Sequence, residues 1–326
     1  MRLLFLGDVM IGRIVNQVLR REPPEYPWGD TLPTLTRGDC RICNLECVIS
    51  SLGSPWAMTP KAFHFRSDAK NVAVLTAAGI DAVSLADNHT LDFEYEAMFE
   101  MIALLDRAGI RHAGAGANLG EASRPARLEV GGVPIGLIAF TDNEPRWAAT
   151  EDEPGIFYVP IDLGDTRTIE LLDGVRQAKG EVDLLIVSAH WGPNWGYTPP
   201  PEHRSLARAL VEAGADVVFG HSCHVVRGIE LYRGRPVLYG TGDFVDDYAV
   251  DEIERNDRSL IFGAEVERGQ ITRLILYPTV IRRYQAQLAK GGEAKVIADT
   301  MERFCADLGT VARWDEREGG LEIPVG

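Results

Sequence analysis

The chain opens on an apolar run, residues 1–6 (MRLLFL), that stops at Gly7-Asp8. A short, nearly continuous apolar stretch ending in a turn residue predicts a buried strand. The pattern recurs. Residues 40–45 run into Glu46, and residues 81–85 run into Ala86-Asp87-Asn88-His89. Residues 182–188 run into Ala189-His190-Trp191, and residues 216–219 into Gly220-His221-Ser222-Cys223-His224. Between these strands the apolar period lengthens to that of a helix. It does so over 11–21, where positions 11, 14, 15, 18 and 19 are apolar, and over 68–78, 92–108, 163–178, 199–213 and 293–308. Gly131-Gly132, Arg233-Gly234 and Arg268-Gly269 predict hairpins joining 127–130 to 133–140, 226–232 to 235–239, and 259–267 to 270–277. Proline-rich 22–33 and the stretch 48–67 read as loops, the second with Lys61, Phe63, Phe65 and Arg66 alternating as in a short strand. The tail is polar, with a last strand at 321–323. Strands and helices interleaved in this way predict sheets packed on one another with helices outside.

Composition narrows the class. The 326 residues, 45% of them apolar, suffice for one large domain, and no repeat or low-complexity linker divides them. A net charge of −15 argues against a nucleic-acid backbone as partner. It also means that an anionic substrate needs local arginine, lysine or metal charge. No apolar run is long enough to span a membrane, and no leader pattern is visible, so a cytoplasmic protein is expected. The five cysteines are scattered and do not form a disulfide framework. Cys40 and Cys43 fall on a strand, facing opposite sides, which predicts buried thiols rather than half of a zinc site.

The residues that end the strands carry the chemistry. In a layered α/β fold the carboxyl ends of several strands lie along one edge. Asp8, Glu46, Asn88, His89, His190, His221 and His224 would therefore meet in one cleft. Asp8 alone reads equally as a helix cap. Capping does not explain the set, which takes four of the seven histidines of the chain. Carboxylate, amide and imidazole donors together predict a metal site of Mn, Fe or Zn type.

These stretches carry a family resemblance. GDVMIGR at 7–13, NLE at 44–46, KAFHFR at 61–66, ADNHTLDF at 86–93 and GAGAN at 114–118 resemble the CapA capsule-synthesis family. So do HWGPNWGY at 190–197, GHSCH at 220–224 and IELYRGRPVLYGTGDF at 229–244. That family is associated with poly-γ-glutamate capsule production and has a calcineurin-like metallophosphatase fold. The resemblance implies a four-layer α/β/β/α sandwich over residues 1–285, with a C-terminal helix and tail, 286–326, packed on it. It implies two divalent ions, one held by Asp8 and His224, the other by Asn88, His190 and His221, with Glu46 bridging. His89 becomes the catalytic histidine. The sequence departs from the usual metallophosphatase pattern at Met10, where a histidine is common. It departs again in the extra residue of His221-Ser222-Cys223-His224, and at Asp243, which stands where many members have asparagine.

Asp243 and Asp92 are expected to support the site from behind. Arg13, Lys61 and Arg66 are candidates to neutralise an anionic substrate, or are ordinary surface charges. Trp191, Asn194, Trp195 and Tyr197 crowd the loop after His190 and are candidates for a substrate wall. The expected function is a two-metal hydrolase, of a phosphoester first, acting through a metal-bridging hydroxide on a small anionic or polymeric substrate. The alternatives are a non-catalytic accessory protein of poly-γ-glutamate or capsule biosynthesis, and a metal-dependent amide hydrolase.

Overall fold

Along the strand Arg2–Val9, successive side chains enter different cores. Leu3 and Phe5 join one buried cluster, and Leu4, Leu6 and Val9 join another. The strand Leu184–His190 is divided in the same way. Leu184 and Ile186 share the cluster of Leu3 and Phe5, while Leu185, Val187 and Ala189 face a third. Period-two alternation with both faces apolar is what a strand between two buried layers requires. The three clusters are the three interfaces of the expected four-layer α/β/β/α sandwich. We describe residues 1–325 of the chain in this computed structural model.

The first sheet has ten strands, with Arg2–Val9 near its centre. On one side it pairs in parallel with Cys40–Asn44, followed by Ala82–Ser84 and Arg111–Ala113. On the other side it pairs antiparallel with Arg258–Glu267, itself paired with Gln270–Arg282. The second sheet has six strands. Its parallel centre is Val133–Thr141, Leu184–His190, Val217–His221 and Arg235–Leu238. Helices Arg13–Val18, Val72–Ala77 and Glu94–Ala108 cover the first sheet, and Thr166–Lys179 and Pro201–Ala213 cover the second. The last helix, Gly291–Ala306, instead sends Ile297, Met301 and Cys305 into the core between the sheets.

Most expected elements are present, with shifted ends. The helix expected over 11–21 occupies only Arg13–Val18, and the loop over 22–33 contains a 3-10 turn, Tyr26–Thr31. Of the alternating stretch 61–66, only Arg66 belongs to a strand, Arg66–Ser67, which pairs with Val48–Ile49. The tail holds more than the expected strand: Arg313–Asp315 and Gly320–Pro324 extend the first sheet. All five cysteines are buried free thiols, Cys40 on the inter-sheet face and Cys43 on the helix face. Among the described residues, no helix is long and apolar enough to cross a membrane.

One irregularity positions the chemistry. Leu4 and Leu6 face the helices and so does Val9, so the alternation slips by one residue between them. The pairing of Arg2–Val9 with Cys40–Asn44 shifts register between Leu6 and Asp8. A bulge of this kind re-aims a side chain. Here it turns Asp8 away from the helix layer and toward the second sheet. Gly7 is required at this corner, because a methyl group there would overlap the Gly242 carbonyl.

Candidate metal centre

Asp8 sits between two parallel neighbours. Its Cα pairs with Asn44 on one side and with Asp243 of the strand Asp243–Val245 on the other. In the second sheet His190 and His221 are register partners. The two sheet edges meet where the Ser222 amide donates to Asp8 Oδ2 at 3.3 Å. Ser222 holds a left-handed φ of 91° to make that turn, an uncommon state for a residue with a Cβ.

Two groups of ligand-type atoms result, each with its members within 4.8 Å of one another. One is Asp8, His190 and His221; the other is Asp8, Glu46, His224 and Asp243. Asp8 is the residue they share, whereas the resemblance gave the bridging place to Glu46. All are buried except His224, which is partly exposed. Asn44 donates to Asp8 Oδ1 at 2.8 Å and fixes the carboxylate. Ser188 Oγ lies 2.7 Å from His221 Nε2, and His221 Nδ1 faces His190 Nδ1 at 2.9 Å. His224 Nδ1 lies 2.9 Å from Asp243 Oδ1, and the Tyr248 hydroxyl donates to Glu46 Oε2 at 3.3 Å.

Electrostatics point the same way. Burial pushes the Asp8 carboxyl up to about 7. Burial, with repulsion from neighbouring carboxylates, holds Glu46 and Asp243 well above the usual range. Burial pushes His221 down to about 3 and lowers His190 and His224. Crowded carboxylates beside neutral imidazoles are costly by themselves, and a divalent cation reverses that balance. Asn44 Oδ1, Asn88 Oδ1 and Asp243 Oδ2 are buried without a hydrogen-bond partner. Orphaned oxygens are rare in a folded interior, and cation coordination satisfies them. The donor set therefore fits divalent metal ions.

His89 lies beside these groups. Its Nδ1 is 2.6 Å from Asp92 Oδ2, and its ring stacks on Phe65 with centroids 3.8 Å apart. Asp92 also accepts from the Phe65 amide at 2.6 Å. Burial first, and then the Lys61 charge, hold the ring well below the ordinary histidine value. Asp87 accepts from the His89 amide at 2.7 Å, which fixes the turn after Ala82–Ser84.

Other expected residues are placed differently. Trp191 does not wall a substrate. It is fully buried against Phe140, His203 and Tyr239, because its indole donates to the Tyr239 carbonyl and fills the core under the second sheet. Lys61 is committed within the protein: its ammonium donates to the Asn88 carbonyl at 2.6 Å and to Glu144 at 3.1 Å, over the Trp147 ring. Trp195 is 43% exposed and meets His224 edge-on at 5.9 Å. Exposed Asn194 accepts from the His224 amide through its main chain, and the partly buried Tyr197 hydroxyl donates to the Glu254 carbonyl. Arg13 pairs with Asp247 at 3.4 Å, and Arg66 lies over Phe93 at 4.2 Å. Met10 is buried among apolar side chains, its sulfur accepting from the Gly12 amide. Asp243 brings a carboxylate to the group that lacks the second-position histidine.

Asn44, Ser188, Tyr248 and Asp87 join the site beyond the residues to which the sequence points. Ser188 was legible, since it stands two residues before His190 on one strand and so shares its face. Tyr248 was not, because its place depends on the strand Asp243–Val245, whose partner is distant in sequence.

Comparison with known proteins assigns the chain. The sequence pattern of the bacterial capsule synthesis protein PGA_cap family matches residues 2–248. A probable polyglutamine synthesis accessory protein of Mycobacterium tuberculosis is 33% identical, over 93% of this chain and 90% of that one. The capsule biosynthesis protein CapA of Bacillus anthracis is 29% identical, over 74% of this chain and 59% of that one. In fold, a crystal structure of a hypothetical protein from Thermus thermophilus superposes with a TM-score of 0.51 at 20% identity, over 85% of this chain and 98% of that one. With the family pattern spanning the strands that carry Asp8, Glu46, His89, His190, His221 and His224, the chain belongs to the bacterial capsule synthesis protein PGA_cap family.

Proposed function

We propose that this chain is a two-metal hydrolase that cleaves a phosphoester. The observation that carries the reading is the sharing of Asp8 between a His190–His221 group and a Glu46–His224–Asp243 group, all aimed into one buried space. Asn88, with its orphaned Oδ1 on the adjoining turn, would complete the first group. Two divalent ions (Mn, Fe or Zn) in such a site supply Lewis acidity and an activated water for in-line displacement. The protein's own contribution is position and protons. Asn44 and the Ser222 amide hold the Asp8 oxygens, and Ser188 holds His221 by its outer nitrogen. Asp92 takes the Nδ1 side of His89, which leaves Nε2 as the atom that exchanges a proton with a substrate oxygen. An anionic substrate beside that ring raises its proton affinity, so His89 gains its proton where the leaving group needs one.

A second reading is favoured by the relatives' names. The relative from Mycobacterium tuberculosis is named for polyglutamine synthesis and called accessory, and that from Bacillus anthracis for capsule biosynthesis. On this reading the chain serves anionic-polymer formation, either without turnover or by cleaving an amide. Turnover of a generic phosphodiester and phosphomonoester by protein loaded with Mn, against protein stripped by chelator, decides between them. Metal-dependent hydrolysis supports the first reading. Tight metal binding without phosphoester turnover, with release of glutamate from a polyglutamate chain, replaces the phosphoester with an amide. Metal binding with neither activity leaves the accessory role.

A further inference from the structure

A groove beside the metal cleft opposes the charge of the whole chain. It is an open cleft of about 950 Å³ lined by Arg13, Arg20, Arg21, Arg66 and Arg283, with Tyr284 on one wall. A single carboxylate, Glu22, lines it, although the chain as a whole carries −15. Arg13 pairs with Asp247 at 3.4 Å and Arg20 with Asp68 at 3.6 Å. Among the described residues, Arg21, Arg66 and Arg283 have no carboxylate partner. Guanidinium groups gathered in this way repel one another, and the fold gains nothing from it.

The backbone is also unusual here. Arg13, Arg283 and Tyr284 have φ of 46°, 52° and 64°. Arg283-Tyr284 is the tight turn between Gln270–Arg282 and Gln285–Leu288. At two comparable turns the second left-handed position falls on Gly234 and Gly269, where it carries no strain. At position 284 a tyrosine holds it instead, and its side chain lines the groove. The groove also reaches the candidate active site. The Arg13 guanidinium lies 5.3 Å from the Phe65 ring, and that ring stacks on His89.

We propose that this groove binds a flexible polyanion, a chain of repeated carboxylate or phosphate groups, and leads it to the metal cleft. Arginine bonds either oxyanion through a planar pair of N–H groups. Five such groups along an open groove suit several spaced charges better than one small ion. Binding rests on the groove alone; only the fate of the chain at the cleft rests on the hydrolase reading.

The test is fluorescence anisotropy of the full chain with labelled polyglutamate of about twenty residues, and with polyphosphate of matched charge. Free glutamate and inorganic phosphate serve as monomer competitors. At least one polymer should bind about tenfold or more tightly than its monomer, and more weakly as salt is raised. Arg21→Glu combined with Arg283→Glu should weaken that binding about tenfold or more, while Arg268→Glu, on a distant exposed turn, should not change it. The polymer that binds more tightly identifies the oxyanion. The milder pair Arg21→Gln and Arg283→Gln, with an unchanged thermal midpoint, separates lost binding from lost fold. Polymers that bind no better than monomers, or a charge-reversed variant that binds like the parent, overturn the proposal. Turnover does not enter the measurement, so it stands or falls apart from the hydrolase reading.

Discussion

The Nδ1 atoms of His190 and His221 face each other at 2.9 Å, and both rings are closed off from solvent. Burial keeps both rings neutral. Two neutral imidazole nitrogens at that distance either share one proton or direct two lone pairs at a cation. Ser188, 2.7 Å from His221 Nε2, selects the second state by accepting the proton on the far side of the ring. Ser188→Ala should then weaken metal affinity by about 10–100-fold while the fold is kept. Competition with a calibrated chelator measures this. An unchanged affinity removes Ser188 from the site.

The shared position of Asp8 predicts a ranking. Asp8→Asn should lose both ions. Glu46→Gln and Asp243→Asn should each disturb one group and leave about one ion per chain, because the His190–His221 group does not contain them. Elemental analysis of protein purified with Mn and without chelator gives the counts. If Glu46→Gln loses both ions and Asp8→Asn only one, Glu46 is the bridge.

His89 should affect turnover and not metal content. His89→Ala should keep both ions and slow a phosphoester reaction by about 10²–10⁴-fold. Asp92→Asn should fall between parent and alanine variant, since the ring remains but loses the carboxylate that holds Nδ1. Loss of metal from His89→Ala makes His89 a ligand. Parental turnover in that variant denies it a catalytic role.

Away from the site, Glu265 ties three strands of the first sheet. Arg273 first, and then Arg2, hold its carboxyl down to about 2. The Arg273 Nε donates at 2.6 Å and the Arg2 Nη2 at 2.6 Å. A depressed carboxyl contributes stability that is fully present above its ordinary value of 4.5 and is lost as pH falls toward 2. Solvent screens this rim position, so Glu265→Gln should cost about 1 kcal/mol at pH 7. Urea unfolding at pH 7, 5 and 3 should show a gap between parent and variant that narrows below about pH 4.5. A gap that widens on acidification reverses the assignment.

The legible part of the protein was what local pattern dictates. Leu3–Phe5 and Leu184–Ile186 announced strands buried on both faces, and the hairpin glycines placed the antiparallel pairs. The residues at the ends of those strands were legible as ligand types, since imidazole and carboxylate groups directly after apolar strands have few structural uses. Less was legible in loops. Trp191 looked like a substrate wall in a glycine-rich stretch, yet its indole found a carbonyl to bond and a core to fill.

The sequence by itself determined the four layers and the edge at which chemistry sits, because strand alternation and the carboxyl ends of strands are properties of neighbouring residues. The tertiary structure decided how the ligands are grouped. Asp8 joins both groups only because a bulge turns it toward the second sheet, and Asp243 only because its strand pairs in parallel with one at the far end of the chain. The arginine groove is of the same kind, bringing Arg283 from one end of the chain beside Arg13, Arg21 and Arg66 from the other. Such meetings depend on which segments pack side by side, and packing is settled by the buried surface of the whole domain rather than by any local run of residues.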